Sequence, residues 1–184
     1  PNRQTPTTFW TSEDNVMKGL SAVYNPFRRM TSGYYGGLEG IMHLQMRGDD
    51  LYPTRGEEPY IWEYLSFVNT TNTKDLSWGN IYEGIQMANE FIYRAATVDM
   101  DETKREQMIG EAYFLRGFWY FRLRTDYRDA VIRTLPQDAD PETHGLSSGD
   151  EVLEQAISDF KEAKSRLPKL RSSDENGRVT QGAA

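Results

Sequence analysis

The chain has 184 residues, 38% of them hydrophobic and 27% charged, which suits one domain with a real core and excludes disorder over most of its length. A net charge of −7 with no offsetting basic run disfavours nucleic acid and anionic membrane surfaces. The absence of cysteine removes disulfides, thiolate zinc sites and cysteine nucleophiles, and no stretch approaches the roughly 20 apolar residues of a membrane span.

Four segments carry helical periodicity. The first is expected over about Ser12 to Arg29, with Val16, Leu20, Val23 and Phe27 forming one stripe. Thr11 or Ser12 supplies its cap, Glu13 and Asp14 sit in the first turn, and Pro26 is expected to weaken the last turn and end the helix early. Residues 31–77 are irregular, rich in glycine, proline and aromatics, and such a segment inside a compact domain is usually functional or mobile. The second helix covers about Ser77 to Ala96, with Ile81, Ile85, Ala88 and Ile92 on one face. The third runs from near Asp101 to about Tyr127. Its centre is apolar on two faces, Ala112, Leu115 and Trp119 on one and Phe114, Phe118 and Phe121 on the other. That pattern predicts a helix sandwiched between neighbours. The fourth covers about Gly149 to Leu167, opened by a capping box of Ser148 and Glu151 and stopped by Pro168. Its buried face is read as Leu153, Ala156, Phe160, Ala163 and Leu167. The closing Gly182-Ala183-Ala184 reads as the start of a further helix. These elements give an all-α fold, a tetratricopeptide-like helical-repeat scaffold with a long irregular aromatic-rich loop segment, although no strict 34-residue repeat is present.

No catalytic constellation stands out. His43 and His144 lie far apart, neither near a G-x-S-x-G elbow, and there is no glycine-rich phosphate loop. A glycosidase pair drawn from Asp49-Asp50 and Glu57-Glu58 is the weakest reading, since solvated loop charge explains those acids far better. Asp138-x-Asp140 resembles the start of a calcium loop, but Thr143 occupies the position that requires glycine. Asp99-Met100-Asp101 reads as a helix-capping turn. No catalytic residue, metal ligand or cofactor site is assigned.

Binding is the more productive reading. The chain holds 4 Trp, 11 Tyr and 8 Phe, more rings than a core of this size needs. Sugar rings present C–H faces that rest on aromatics and hydroxyls that meet short polar side chains. Loop residues 49–78 supply both, and the candidate ligand-binding residues are Trp62, Trp78, Asp49, Asp50, Arg55, Asn69 and Tyr60. The alternative is that Trp62 and Trp78 only pin the loop onto the helices. Glu111 and Arg116 are five apart, on different faces of the third helix, so each is expected to meet a neighbouring helix and not the other. Arg116, inside the most apolar stretch, requires a partner there. Their reading, with Asn89, is structural pairing.

At these residues the chain resembles a known family. Phe9-Trp10-Thr11-Ser12-Glu13-Asp14-Asn15, leading to Ala22-Val23-Tyr24, is similar to the opening of SusD/RagB-type proteins. So is Trp78-Gly79-Asn80-Ile81-Tyr82-Glu83-Gly84-Ile85, followed by Ala88-Asn89. Gly110-Glu111-Ala112-Tyr113-Phe114-Leu115-Arg116 onward to Phe121 is similar to the E-A-x-F-L-R-A-x-x-Y-F signature. Ser148 to Pro168 resembles the family's next helix, and Gly177-Arg178-Val179-Thr180-Gln181-Gly182-Ala183-Ala184 resembles G-R-x-T-K-G-A-A. One departure is plain: where the family has Y-G-D-V-P-L, this chain has Tyr127-Arg128-Asp129-Ala130-Val131-Ile132. Without that glycine and proline the third helix is expected to run on, or the loop to loosen.

The resemblance implies a non-catalytic outer-membrane lipoprotein of the Bacteroidetes type, facing outward. It would capture oligo- or polysaccharide and pass it to a SusC-like TonB-dependent transporter. Residues 1–184 would form the N-terminal portion of a longer SusD-like domain, truncated at the C-terminus, with no cofactor and no nucleic-acid partner. Membrane attachment would run only through a lipid on a cysteine before Pro1. The runner-up reading is a helical-repeat protein–protein interaction module whose aromatics are only core.

Overall fold

The computed structural model describes residues 9–28, 48, 50, 66, 68 and 78–184. Residues Pro1–Tyr24 with Tyr82–Ala184 form one compact unit and Asn25–Ile81 a second. Among the described residues the helices are α1 (Glu13–Arg28), α2 (Trp78–Ala95), α3 (Glu102–Asp126) and α4 (Gly149–Arg166), with a 3₁₀ turn at Ser173–Glu175. There is no β-strand among them, only an isolated antiparallel bridge between Ala130 and Ser147. The expected all-α class is what the structure has.

Local chemistry sets the boundaries. Ser12 caps α1 by accepting from the Asn15 N–H at 3.4 Å. Pro26 lies within α1, which nevertheless runs to Arg28 instead of ending early. Asp101 caps α3 by accepting from the Lys104 N–H at 2.8 Å, as the capping turn predicts. Ser148 and Glu151 form the complete capping box of α4, the Glu151 carboxylate taking the Ser148 N–H at 2.7 Å.

In the larger unit α3 runs antiparallel to both α2 and α4, while α1 lies along α3 in the same direction, with Glu13 beside Lys104 and Tyr24 beside Glu111. Gly19 of α1 lies against Trp10 and Phe91, Gly84 of α2 against Trp119 of α3, and Gly110 and Gly117 of α3 against α4. These glycines are contact points. A methyl at Gly117 would lie 3.0 Å from the Asp159 Cβ and 3.1 Å from the Ala156 carbonyl oxygen. With Ala156 and Ala163 on the facing helix, α3 and α4 meet almost backbone to backbone. Val16, Leu20 and Val23 of α1, Ile85, Ala88 and Phe91 of α2, and Ala112, Leu115, Trp119 and Leu123 of α3 are all buried.

Two faces differ from the pattern reading. The second apolar face of α3 is only partly covered: Phe114 and Phe118 are half-buried, and Phe121 is 44% exposed. Phe114 leans on Phe160 with ring centroids 5.5 Å apart. The buried face of α4 is Val152, Ala156, Asp159 and Ala163, while Leu153 and Phe160 are half-buried. Ala156, Ala163 and Leu167 are buried as the pattern predicts, but Val152 and the Asp159 carboxylate take the core places read as Leu153 and Phe160.

The turn after α3 forms without the family's glycine. Tyr127 and Arg128 both donate their N–H to the Leu123 carbonyl, at 2.9 and 3.2 Å, and Arg128 adopts φ 72°. That left-handed conformation costs an L-residue about 1–2 kcal/mol. The helix therefore stops at Asp126 instead of running on.

Candidate functional site

α3 carries two buried charges, and each organises a different part of the larger unit. Arg116 is 4% exposed and Asp159 of α4 1% exposed. The guanidinium donates in parallel to both carboxylate oxygens, Nε to Oδ2 at 2.8 Å and Nη2 to Oδ1 at 2.6 Å. Its Nη1 donates to the Asn89 Oδ1 at 2.8 Å and to the Thr134 carbonyl at 2.9 Å. Gln155 adds a hydrogen bond to Asp159 Oδ1 at 3.0 Å. Burial pushes the Asp159 carboxyl upward, and the Arg116 hydrogen bonds oppose it.

This cluster continues into the chain beyond α3. Val131 exchanges both its N–H and its carbonyl with the Tyr82 hydroxyl, at 2.8 and 2.9 Å. Arg133 does the same with the Tyr120 hydroxyl, its N–H donating at 2.8 Å. The Asn89 amide donates to the Arg133 carbonyl at 2.9 Å and to the Leu135 carbonyl at 3.3 Å. Side chains of α2 and α3 thus stand in for a neighbouring strand at Val131 and Arg133 and also take the Thr134 and Leu135 carbonyls, which holds residues 130–135 on the bundle. Both phenols are pushed above their usual range, burial being the main cause. Farther along, Arg94 pairs with Asp138 and His144 bonds Asp140 at 2.8 Å. Both acids of the calcium-like pattern are therefore engaged within the chain. Among the described residues no group of acids and histidines is arranged to hold a metal ion.

Glu111, with no exposed surface, is the second anchor. It accepts from the Tyr24 hydroxyl at 2.6 Å, from Arg171 Nη2 at 2.7 Å and from Arg178 Nε at 3.1 Å. Arg171 also donates to the Val179 carbonyl at 3.1 Å, and the Val179 N–H donates to the Tyr24 hydroxyl at 3.3 Å. One carboxylate thereby clamps residues 171–179 against α1 and α3. Tyr24 is raised well above an ordinary phenol, by burial first and by Glu111 second. As the five-residue spacing predicts, Glu111 and Arg116 meet different neighbours and not each other. Their partners Asp159, Arg171 and Arg178 lie 43 to 67 residues away, so no local spacing pairs them, although Asp159 and Arg178 fall in stretches that carry the resemblance.

Most of the loop residues singled out for ligand binding, Trp62, Asp49, Arg55, Asn69 and Tyr60, lie outside the described residues. Trp78 opens α2 and is half-buried, and Asp50 is exposed. No helix among the described residues is long and apolar enough to cross a membrane.

This helical frame has counterparts among known proteins. Residues 43–184 match a SusD-like family model described as starch-binding, associating with the outer membrane. The chain belongs to the SusD-like family. It is 26% identical over 170 residues to the SusD-like protein P38 of Formosa agariphila, covering 89% of this chain and 32% of that protein. Among solved structures it is similar to a laminarin-binding SusD-like protein, with 27% identity and a TM-score of 0.81, over 94% of this chain and 38% of that one. A SusD superfamily protein from Bacteroides vulgatus is similar to the same degree, with 25% identity and a TM-score of 0.81 over 95% of this chain and 38% of that one. The chain spans about a third of the length of these relatives.

Proposed function

We propose that this chain is the N-terminal portion, residues 1–184, of a glycan-capturing protein of the outer membrane. It binds oligo- or polysaccharide without cleaving it and hands it to a SusC-like TonB-dependent transporter. The observation that carries this reading is the family match over residues 43–184, joined to a likeness in fold and sequence to a laminarin-binding protein. The net charge of −7 agrees, since it favours a neutral ligand over a phosphorylated one.

The residues proposed to hold the glycan are Trp62, Trp78 and Tyr60 as stacking platforms, with Asp49, Asp50, Arg55 and Asn69 meeting hydroxyls. α2 supports the end of that segment, because Trp78 is its first residue. The protein is proposed to face outward on a lipid anchor that lies before Pro1. Calorimetric titration of the chain with neutral soluble polysaccharides, laminarin first, tests the reading. Saturable binding lost in Trp62→Ala, with an unchanged circular dichroism spectrum, is the expected result. A folded chain that binds no polysaccharide in the panel overturns it. Co-purification of the lipidated protein with a TonB-dependent transporter tests the delivery step.

A further inference from the structure

Within the larger unit, an open cleft of about 680 Å³ lies between the end of α2, the middle of α3 and α4. That volume falls within the range of small-ligand pockets. Arg116 and Asp159 form its floor, Tyr93, Tyr113 and Leu135 its walls, and Gln155 and Ser158 part of its rim. Tyr93 is 45% exposed and Leu135 41%, so the cleft displays apolar surface that the bundle does not use.

Three features define what would fit. The first is charge. Arg116 is neutralised by Asp159, and Arg166, beside the rim, by Glu106 and Glu162, so no uncompensated cation awaits an anion. The second is the rings. Tyr113 has the Arg116 and Arg166 guanidinium groups each 5.2 Å from its ring centroid, which fixes it in place. Tyr93 presents its ring at the mouth with Arg94 at 5.2 Å. The third is unused hydrogen-bonding capacity. The hydroxyls of Tyr93, Tyr113 and Ser158 make no hydrogen bond among the described residues, and the Gln155 carbonyl is free while its amide holds Asp159. A neutral ring compound with apolar faces and many hydroxyls satisfies all three, whereas an acid or a purely apolar ligand does not.

We propose that this cleft is a saccharide-binding site built from residues outside 49–78, taking a neutral glycan unit stacked on Tyr93. It takes its ligand class from the proposed function but uses different residues, so the two readings fail separately. The test is a nitrogen-15 amide-shift titration of the chain with laminari-, malto-, cello- and xylo-hexaose. At least one is expected to produce saturable shifts at Tyr93, Leu135 and Ser158. Those shifts should persist in Trp62→Ala and weaken about tenfold in Tyr93→Ala, the scale of one lost aromatic stack. Tyr93 stands on an exposed helix face, so its variant folds, and Ser158→Ala provides a second, milder probe. Shifts confined to residues 49–78 and abolished by Trp62→Ala would leave the loop reading standing and overturn the cleft. Cleft shifts indifferent to both Tyr93→Ala and Ser158→Ala would overturn it too, as would no shift at the cleft with any of the four.

Discussion

The buried Arg116–Asp159 pair offers the sharpest test of how this unit is held together. Asp159→Leu leaves the guanidinium with only the Asn89 and Thr134 oxygens, an uncompensated charge at a site 4% exposed. Removing one partner of such a pair costs about 3–5 kcal/mol. Arg116→Met costs about as much, because it strands the carboxylate with Gln155 alone and also releases the Thr134 carbonyl. In the double variant both charges are gone, and what remains is the loss of hydrogen bonds to the Thr134 and Asn89 oxygens, about 1–3 kcal/mol for each group left unsatisfied. The double variant should therefore be no less stable than the worse single one, giving a coupling of about 3 kcal/mol or more. Urea unfolding followed by circular dichroism at neutral pH measures all four corners, with Asp159→Asn as a gentler replacement if Asp159→Leu is too unstable. Additivity within about 0.5 kcal/mol would refute the claim that the pair acts as one buried unit.

Packing, caps and titration give further tests. Gly84→Ala would place a methyl 2.2 Å from the Nε1 of the buried Trp119, so it should destabilise by about 1–3 kcal/mol despite the better helix former; a rise in melting temperature would contradict this packing. Arg128→Gly should stabilise by about 0.5 kcal/mol, the relief of the left-handed strain less the entropy glycine adds to the unfolded chain, and an unchanged or lower urea midpoint would count against it. Ser148→Ala should cost about 1 kcal/mol through loss of the cap. The same hydroxyl and the Ser148 N–H hold Glu151 below its usual range, so its contribution is present above about pH 4.3 and lost as the pH falls through the folded value. In Ser148→Ala that acid-side loss should shrink, as read from urea midpoints between pH 3 and 6. At the alkaline end Tyr24, Tyr82 and Tyr120 are all raised by burial, so the fold keeps their protons where a free phenol gives them up. The stability they contribute is intact below about pH 10 and declines as the pH rises further. Tyr120→Phe should flatten that decline, and a urea midpoint constant to pH 11 would argue against the buried phenols.

The features legible in the chain are those that local chemistry decides. Helix ends are written in side chains three residues from the backbone groups they satisfy, which is why Asp101 and the Ser148–Glu151 box mark α3 and α4 to within a residue. The apolar stripes of α1 and α2 are largely legible for the same reason, each being a repeat within one element, although Phe91 and not Ile92 is the fully buried residue near the end of α2. The α4 face is legible only in part. Its stripe includes Asp159, and a pattern that scores only apolar residues passes over a carboxylate whose place in the core depends on an arginine 43 residues earlier. The stretch after α3 is hidden in the same way. The partners of its bonded backbone groups are Tyr82, Asn89, Arg116 and Tyr120, so nothing within residues 130–135 announces an ordered path.

The turn at Arg128 obeys the same rule. From the sequence, arginine at 128 argues for a helix that runs on or a looser loop, because the left-handed turn is costly for any residue with a Cβ. The turn forms regardless, since the segment beyond it is anchored at several points along its length. The Gly149 N–H donates to Asp129 at 2.8 Å, Ala130 bridges to Ser147, and the two phenols grip Val131 and Arg133. Continuing α3 by one turn would forfeit these contacts together, a loss of several hydrogen bonds at about 1 kcal/mol each against a strain of about 1–2 kcal/mol. A local preference is overruled once the alternatives are counted at the level of the packed unit. The same arithmetic explains why Glu111 and Arg116, spaced so that they cannot pair, are kept on one helix. Each fixes a different returning segment of chain, and α3 is the element that both segments can reach.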